Sequence, residues 1–183
     1  MDEGANPVWP GNRKGKNIFA YLKGGVKGVL EVLQVLKDTP ADVIVYGPDL
    51  PLAQIKKFQT ERLIIVQKIL NLKRVCKECD LVICHAGHAT MARALVGEIP
   101  AMMLPTQVEQ FIMSTNIVRF GAGTMVNHQY KQPDYAGAIH RALNDKKIKQ
   151  KAEEFAAWHV DFDQKKQVAA IVSRREELIA PVS

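Results

Sequence analysis

One short segment near the middle of the chain, residues 85–90 (HAGHAT), restricts the possible folds more than any other. It follows the apolar run LVIC at 81–84, which is typical of a buried strand, and precedes MARALV at 91–96, which is typical of a helix. Small residues allow a tight turn there and leave the first amides of the helix unpaired. Such amides bind anions, most often phosphate. The segment predicts a nucleotide or nucleotide-sugar site at the carboxyl end of a parallel strand.

The rest of the sequence alternates predicted strands with predicted helices. The strands are expected at 17–22, 42–46, 62–66, 80–84, 100–104 and 124–126. The helices are expected at 26–37, 89–97, 108–119, 133–143, 146–158 and 163–179, with a helical or irregular piece at 70–77. This alternation predicts an α/β fold of Rossmann-like type, in which helices cover both faces of a parallel sheet in three layers. Gly24 and Gly25 then lie at the same sheet edge as residues 85–90.

Composition limits the class of protein. A chain of 183 residues with 47% hydrophobic and 24% charged residues is typical of a globular domain. We expect no membrane span, since no apolar run reaches about 18 residues. The amino terminus has no secretion signal, so we expect a cytoplasmic protein. The net charge of +6 favours anionic partners, but aromatic and basic residues are not interleaved as in nucleic-acid platforms, so we expect no nucleic-acid partner.

Three cysteines lie close together at Cys76, Cys79 and Cys84. With His85 and His88 they offer a possible zinc site. Cys84 is expected to be buried within a strand, however, and no second pair of cysteines completes a zinc motif. We therefore predict reduced thiols and no metal.

Further short motifs lie before and after the central segment 85–90. Cys79-Asp80 precedes the strand, Gly97-Glu-Ile-Pro100 precedes the next one, and Pro105, Glu109-Gln110 and Gly121-Ala-Gly123 follow. This series resembles the donor-binding signature of GT-B glycosyltransferases of the UDP-glycosyltransferase type. The resemblance is close over about 45 residues and implies the carboxyl-terminal, nucleotide-sugar-binding half of a GT-B fold.

The resemblance also implies roles for individual residues. His85 would face the donor diphosphate, the backbone of residues 87–90 would hold its phosphate oxygens, and Glu109 with Gln110 would bind sugar hydroxyls. The predicted donor-binding residues are His85, Gly87, His88, Ala89, Thr90, Glu109, Gln110, Gly24, Gly25 and Arg93.

The sequence departs from the family pattern at several of these positions. Arg93 stands where family members usually have a glutamate that accepts the ribose hydroxyls, and arginine cannot accept a hydrogen bond. Arg93 either contacts a phosphate or lies on a helix face with an acidic partner. Residues 69–72 (ILNL) replace the tryptophan and Pro-Gln pair that hold the base in the family. Ala86 replaces a glycine of the turn.

These observations predict the domain organisation and the function. Residues 1–16 are expected to be a linker, and residues 17–183 a donor-binding domain without its acceptor domain. The function implied is one half of an inverting glycosyltransferase that binds a UDP- or dTDP-sugar and needs no further cofactor. The general base belongs to the missing half. The isolated chain is therefore expected to be inactive, and its last helix to pack on that half.

Two alternatives remain open at the level of sequence. The chain is compatible with the nucleotide-sugar subunit of a split, two-chain glycosyltransferase. It is also compatible with a non-catalytic nucleotide-binding module, because the ribose-binding glutamate and the base-stacking tryptophan are missing.

Overall fold

The computed structural model describes residues 4–11, 15–161 and 163–179. Within these ranges, six strands form one sheet in which every neighbouring pair is parallel. The strands are β1 (Lys16–Tyr21), β2 (Ala41–Tyr46), β3 (Leu63–Val66), β4 (Leu81–Cys84), β5 (Ala101–Met103) and β6 (Gly123–Met125). Their spatial order is β3-β2-β1-β4-β5-β6. The order reverses between β1 and β4, and a crevice opens at the carboxyl ends of strands at such a point.

The described residues also form helices on both faces of the sheet. They are α1 (Val29–Asp38), α2 (Leu52–Phe58), α3 (Leu72–Glu78), α4 (His88–Val96), α5 (Val108–Phe120), α6 (Tyr135–Asn144), α7 (Lys146–Trp158) and α8 (Gln164–Ile179). One apolar core joins the sheet to α1 and α6, and a second joins it to α3 and α4. The predicted three-layer, Rossmann-like α/β fold is confirmed.

The central strands are apolar on both faces because both faces are covered. In β1, Ile18 and Ala20 point into the core beneath α1 and α6, whereas Phe19 points into the core beneath α3 and α4. Each of these side chains is at most 3% exposed. This double coverage explains why the strands appear in the sequence as short continuous apolar runs.

The predicted elements agree with the structure to within a few residues, with one omission. The sequence pattern predicts no helix between the second and third strands, where the structure has α2. The apolar residues of α2 recur at Leu52, Ile55 and Phe58, which is a helical period, but two turns are too short for the pattern to be distinctive.

The amino-terminal segment contacts the domain where it is described. Trp9 is 6% exposed, and its Nε1 donates to Glu78 Oε2 at 2.9 Å. Ala5 forms a parallel bridge with Leu70. Part of the predicted linker (1–3 and 12–14) lies outside the described residues, and its boundary at residue 16 stays a prediction. None of the described helices is both long and apolar enough to cross a membrane.

Candidate functional site

The turn between β4 and α4 is open to solvent. Gly87 is the N-cap residue of α4, and no side chain of the described residues caps the helix there. A Cβ placed on Gly87 would have no heavy atom within 4 Å, and its φ of −67° is allowed for any residue. The preceding Ala86 is buried and has a left-handed φ of 60°. The fold therefore leaves the first amides of α4 uncapped and free space in front of them.

His85 lies at the base of this turn and connects three strands. It is 5% exposed, its Nε2 accepts the backbone N–H of Lys23 at 3.1 Å, and its Nδ1 lies 3.0 Å from the carbonyl oxygen of Leu104. Because Nε2 accepts, the proton is on Nδ1 and is donated to Leu104. Burial lowers the pKa of His85 and so favours this neutral ring. Both ring nitrogens are engaged by backbone groups of neighbouring loops.

The turn after β1 reaches the same edge but is packed internally. The N–H of Gly24 donates to Asp49 Oδ1 at 2.7 Å, and a Cβ on Gly24 would lie 2.7 Å from the carbonyl oxygen of Asp49. Gly25 has a left-handed φ of 73° and open space around its Cα. Gly24 is therefore required by local packing, while Gly25 supplies the turn and faces solvent.

A small cavity of about 120 Å³ adjoins the first turn of α4. It lies at the carboxyl ends of β1 and β2, beside the start of α3. Its lining residues are Phe19, Tyr21, Tyr46, Ile69, Leu70, Leu72 and Thr90. The rings of Tyr21 and Tyr46 have centroids 5.1 Å apart at an interplanar angle of 38°. Because Thr90 belongs to both features, the cavity lies directly beside the open turn.

Other predicted residues of α4 point elsewhere. His88 is exposed and lines a separate apolar groove formed with α5 and α7, which includes Met91 and Trp158. Ala89 is exposed in the first turn. Arg93 is half-buried near α3, where the pKa of the Cys76 thiol is lowered by a hydrogen bond with Cys79 and further by the charge of Arg93. The structure thus separates the His88 side chain from the cavity that Thr90 lines.

Glu109 and Gln110 lie in the first turn of α5. The Oε1 of Gln110 accepts both the backbone N–H and the hydroxyl of Thr106, at 2.8 and 3.0 Å. These bonds fix the loop that leaves β5. The Glu109 side chain is exposed near the helix amino terminus, where a carboxylate is favourable.

His128 is a further buried residue at this edge, and the sequence pattern does not predict it. This residue is 6% exposed, and its Nε2 lies 3.0 Å from the carbonyl oxygen of Pro105. It follows β6 at the carboxyl edge of the sheet, as His85 follows β4, so its position relative to the strand was the available signal. Lys23 and Lys27 flank the Gly24–Gly25 turn and bring positive charge to the same edge, close enough to disfavour protonation of His85 and His128 respectively.

The three cysteines are buried, and none of them forms a disulfide. Burial raises the pKa of Cys84 to about 12, as expected for a thiol inside a strand. Across residues 4–11, 15–161 and 163–179, no group of three or more potential ligands is placed to hold a metal ion.

Comparison with known proteins identifies the family. Residues 31–174, more than three-quarters of the chain, match the model described as "Erythromycin biosynthesis protein CIII-like, C-terminal domain". The chain belongs to this family, and its fold is that of the carboxyl-terminal half of GT-B glycosyltransferases. No curated protein matches the sequence significantly.

Solved structures share the fold at low sequence identity. Glycosyltransferase VinC in complex with dTDP superposes with a TM-score of 0.75 and 15% identity, over 90% of this chain and 42% of VinC. Spinosyn rhamnosyltransferase SpnG complexed with thymidine diphosphate superposes with a TM-score of 0.73 and 19% identity, over 93% of this chain and 49% of SpnG. Glycosyltransferase SnogD from Streptomyces nogalater superposes with a TM-score of 0.70 and 16% identity, over 90% of this chain and 45% of SnogD. The chain thus spans less than half the length of each of these proteins.

Proposed function

We propose that the chain is the donor-binding half of an inverting glycosyltransferase and binds a UDP- or dTDP-sugar. The observation that carries the proposal is the uncapped amino terminus of α4. It lies where the strand order reverses between β1 and β4, and beside the cavity at the carboxyl ends of β1 and β2. Membership of the CIII-like family and the nucleotide-bound relatives VinC and SpnG support it.

The diphosphate is proposed to bind at the amides of residues 87–90. The positive end of the α4 dipole and Lys23 would offset its charge. Gly87 supports this assignment, because neither its φ nor its surroundings require glycine for folding. A side chain there would instead occupy the space that a phosphate needs.

The base is proposed to enter the cavity lined by Tyr21, Tyr46 and Leu70. These aromatic and apolar side chains suit the faces of a pyrimidine ring, in place of the tryptophan that is missing. Thr90 adds a hydroxyl that donates and accepts hydrogen bonds. Gly25 lies at the same edge and would border the nucleotide.

The sugar is proposed to contact the start of α5. Glu109 supplies acceptor oxygens and Gln110 supplies an amide, so together they match hydroxyls that both donate and accept. His85 would act indirectly, since its two ring nitrogens hold the loops after β1 and β5. No cofactor beyond the donor itself is proposed.

Catalysis in this proposal needs an acceptor-binding half, supplied by the same polypeptide or by a second chain. That half would carry the base that removes the acceptor proton. The last helix offers a contact surface for it, because side chains 166–179 of α8 are all exposed. Val168, Ile171 and Val172 form an apolar stripe at helical spacing.

Thermal unfolding in the presence of dTDP, UDP, ADP and thymidine tests the proposal. A ligand at 100 times its Kd stabilises the folded state by about 2.7 kcal/mol. We expect dTDP or UDP to raise the melting temperature at a concentration where thymidine has no effect, since thymidine lacks the diphosphate. A melting temperature that neither dTDP nor UDP raises would contradict the proposal.

Arg93 favours one second candidate, a non-catalytic nucleotide-binding module, because it stands where the family usually has a ribose-binding glutamate. Mixing the chain with an acceptor-binding half from a relative distinguishes the two. Sugar transfer in the mixture supports the enzyme, whereas tight nucleotide binding without transfer supports the module.

A further inference from the structure

We infer that His128 is a positioning residue that, together with His85, clamps the β5–α5 loop and thereby places Glu109 and Gln110 for sugar recognition. The inference rests on the proposed function for its sugar, but the clamp itself is visible in the hydrogen bonds. The loop concerned runs from residue 104 to residue 107.

The two imidazoles extend the sheet beyond the end of β5. The last backbone bonds on either side join Leu104 N–H to the carbonyl of Cys84 and Val126 N–H to the carbonyl of Met103, both at 2.9 Å. The carbonyl of Leu104 then accepts from His85, and the carbonyl of Pro105 from His128, both at 3.0 Å. Side chains from the β4 and β6 sides thus hold two consecutive carbonyls after the strands have separated.

His128 is buried at a cost that an apolar residue would avoid. Its Nε2 donates to Pro105, and its Nδ1 is buried with no hydrogen-bond partner among the described residues. A buried polar atom without a partner is unfavourable. The bond to Pro105 is therefore the specific interaction that an imidazole provides at this position.

The clamp leads directly to the proposed sugar-binding residues. Thr106 follows Pro105, and both its N–H and its hydroxyl donate to Gln110 Oε1. Without His128, the Pro105 carbonyl loses its partner, and the loop that orients Gln110 is held from the His85 side alone. The 87–90 turn, on α4, keeps its own contacts, so diphosphate binding is expected to be unaffected.

Calorimetric titration with dTDP and dTDP-glucose tests this inference. The measured quantity is the ratio of the two Kd values, because this ratio separates the contribution of the sugar to binding from that of the nucleotide. In His128→Ala we expect the dTDP-glucose to dTDP ratio to rise about tenfold, as for the loss of one or two hydrogen bonds, with the Kd for dTDP changing less than about twofold. His128→Gln places an amide near the Nε2 position and should restore the ratio. His140→Ala, at an exposed position on α6, is the matched control.

Hydrogen exchange of the Thr106 amide measures, without any ligand, how firmly the His85–Leu104 and His128–Pro105 hydrogen bonds hold the loop. It should be faster in His128→Ala than in wild type, and unchanged in His128→Gln and His140→Ala. An unchanged Kd ratio, a parallel loss of dTDP affinity, or unchanged exchange at Thr106 would overturn the inference. If wild type binds neither ligand, the proposed function fails, and the exchange measurement alone decides whether the clamp exists.

Discussion

The two turns that meet at the carboxyl edge of the sheet use glycine for opposite reasons. In the turn after β1, Gly24 is packed against Asp49, and a Cβ on Gly28 would overlap the hydroxyl of Tyr135. In the turn after β4, a Cβ on Gly87 would meet nothing. The first turn is therefore filled by the protein itself at Gly24 and Gly28, whereas the second turn is left empty at Gly87.

The two turns also differ in whether contacts within the protein explain their glycines. Gly24 and Gly28 are explained completely by packing, and the N–H of Gly24 already has a carboxylate partner. Gly87 has no such explanation, and it begins a helix that no described side chain caps. This contrast is the reason for which we propose the β4–α4 turn as the diphosphate site, with the β1–α1 turn beside it.

The largest expected effect is at Gly87. Gly87→Asp should weaken dTDP binding by about 100-fold or more, since like charges about 4 Å apart repel by about 4 kcal/mol at an effective dielectric constant near 20. Gly87→Asn has the same size without the charge and should lose much less. Calorimetry measures both. Equal affinities in the two variants would mean that no anion binds at this turn.

A substitution in the first turn should affect folding instead. Gly28→Ala adds a Cβ against Tyr135 at a left-handed φ of 88°, so we expect a loss of about 2 kcal/mol in the free energy of unfolding. Gly87→Ala is the control and should change it by less than about 0.5 kcal/mol. Chemical denaturation measures both. A larger loss in Gly87→Ala than in Gly28→Ala would reverse the comparison.

The Asp49 carboxylate gives a smaller test of the same turn. Asp49→Ala removes the acceptor for the Gly24 N–H and should cost about 1 kcal/mol of stability. Asp49→Asn keeps an acceptor oxygen and should retain most of it. If Asp49→Ala is as stable as wild type, the Gly24 contact does not organise the turn.

The smallest effect is a pH dependence. Burial lowers the pKa values of His85 and His128 below the ordinary 6.5, so the unfolded chain binds protons more readily than the folded one. Above pH 6.5 these two residues do not reduce the free energy of unfolding. Their effect lowers it as the pH falls from 6.5 toward the folded-state pKa values. His85→Gln should flatten the decline in denaturation midpoints between pH 7.5 and 5. An unaltered slope would show that His85 titrates normally in the folded protein.

The sequence predicts the three layers, because strands and helices alternate along it. It also predicts the β4–α4 turn, because the strand, the small residues and the helix are contiguous there. It was not sufficient for α2, whose two turns give too few periodic positions. Nor could it show that both nitrogens of His85 are engaged, since the partners Lys23 and Leu104 are 62 and 19 positions away. Contacts of that separation depend on strand order, which local patterns do not specify.

An amide chemical-shift titration with dTDP, using thymidine for comparison, shows whether a diphosphate binds at the β4–α4 turn. We expect dTDP to shift the amides of residues 87–90 most strongly and the Gly24 amide to move little, because Asp49 holds it. Thymidine should leave residues 87–89 unchanged, because it lacks the diphosphate. Saturable dTDP binding that leaves residues 87–90 unshifted would mean that the diphosphate binds elsewhere.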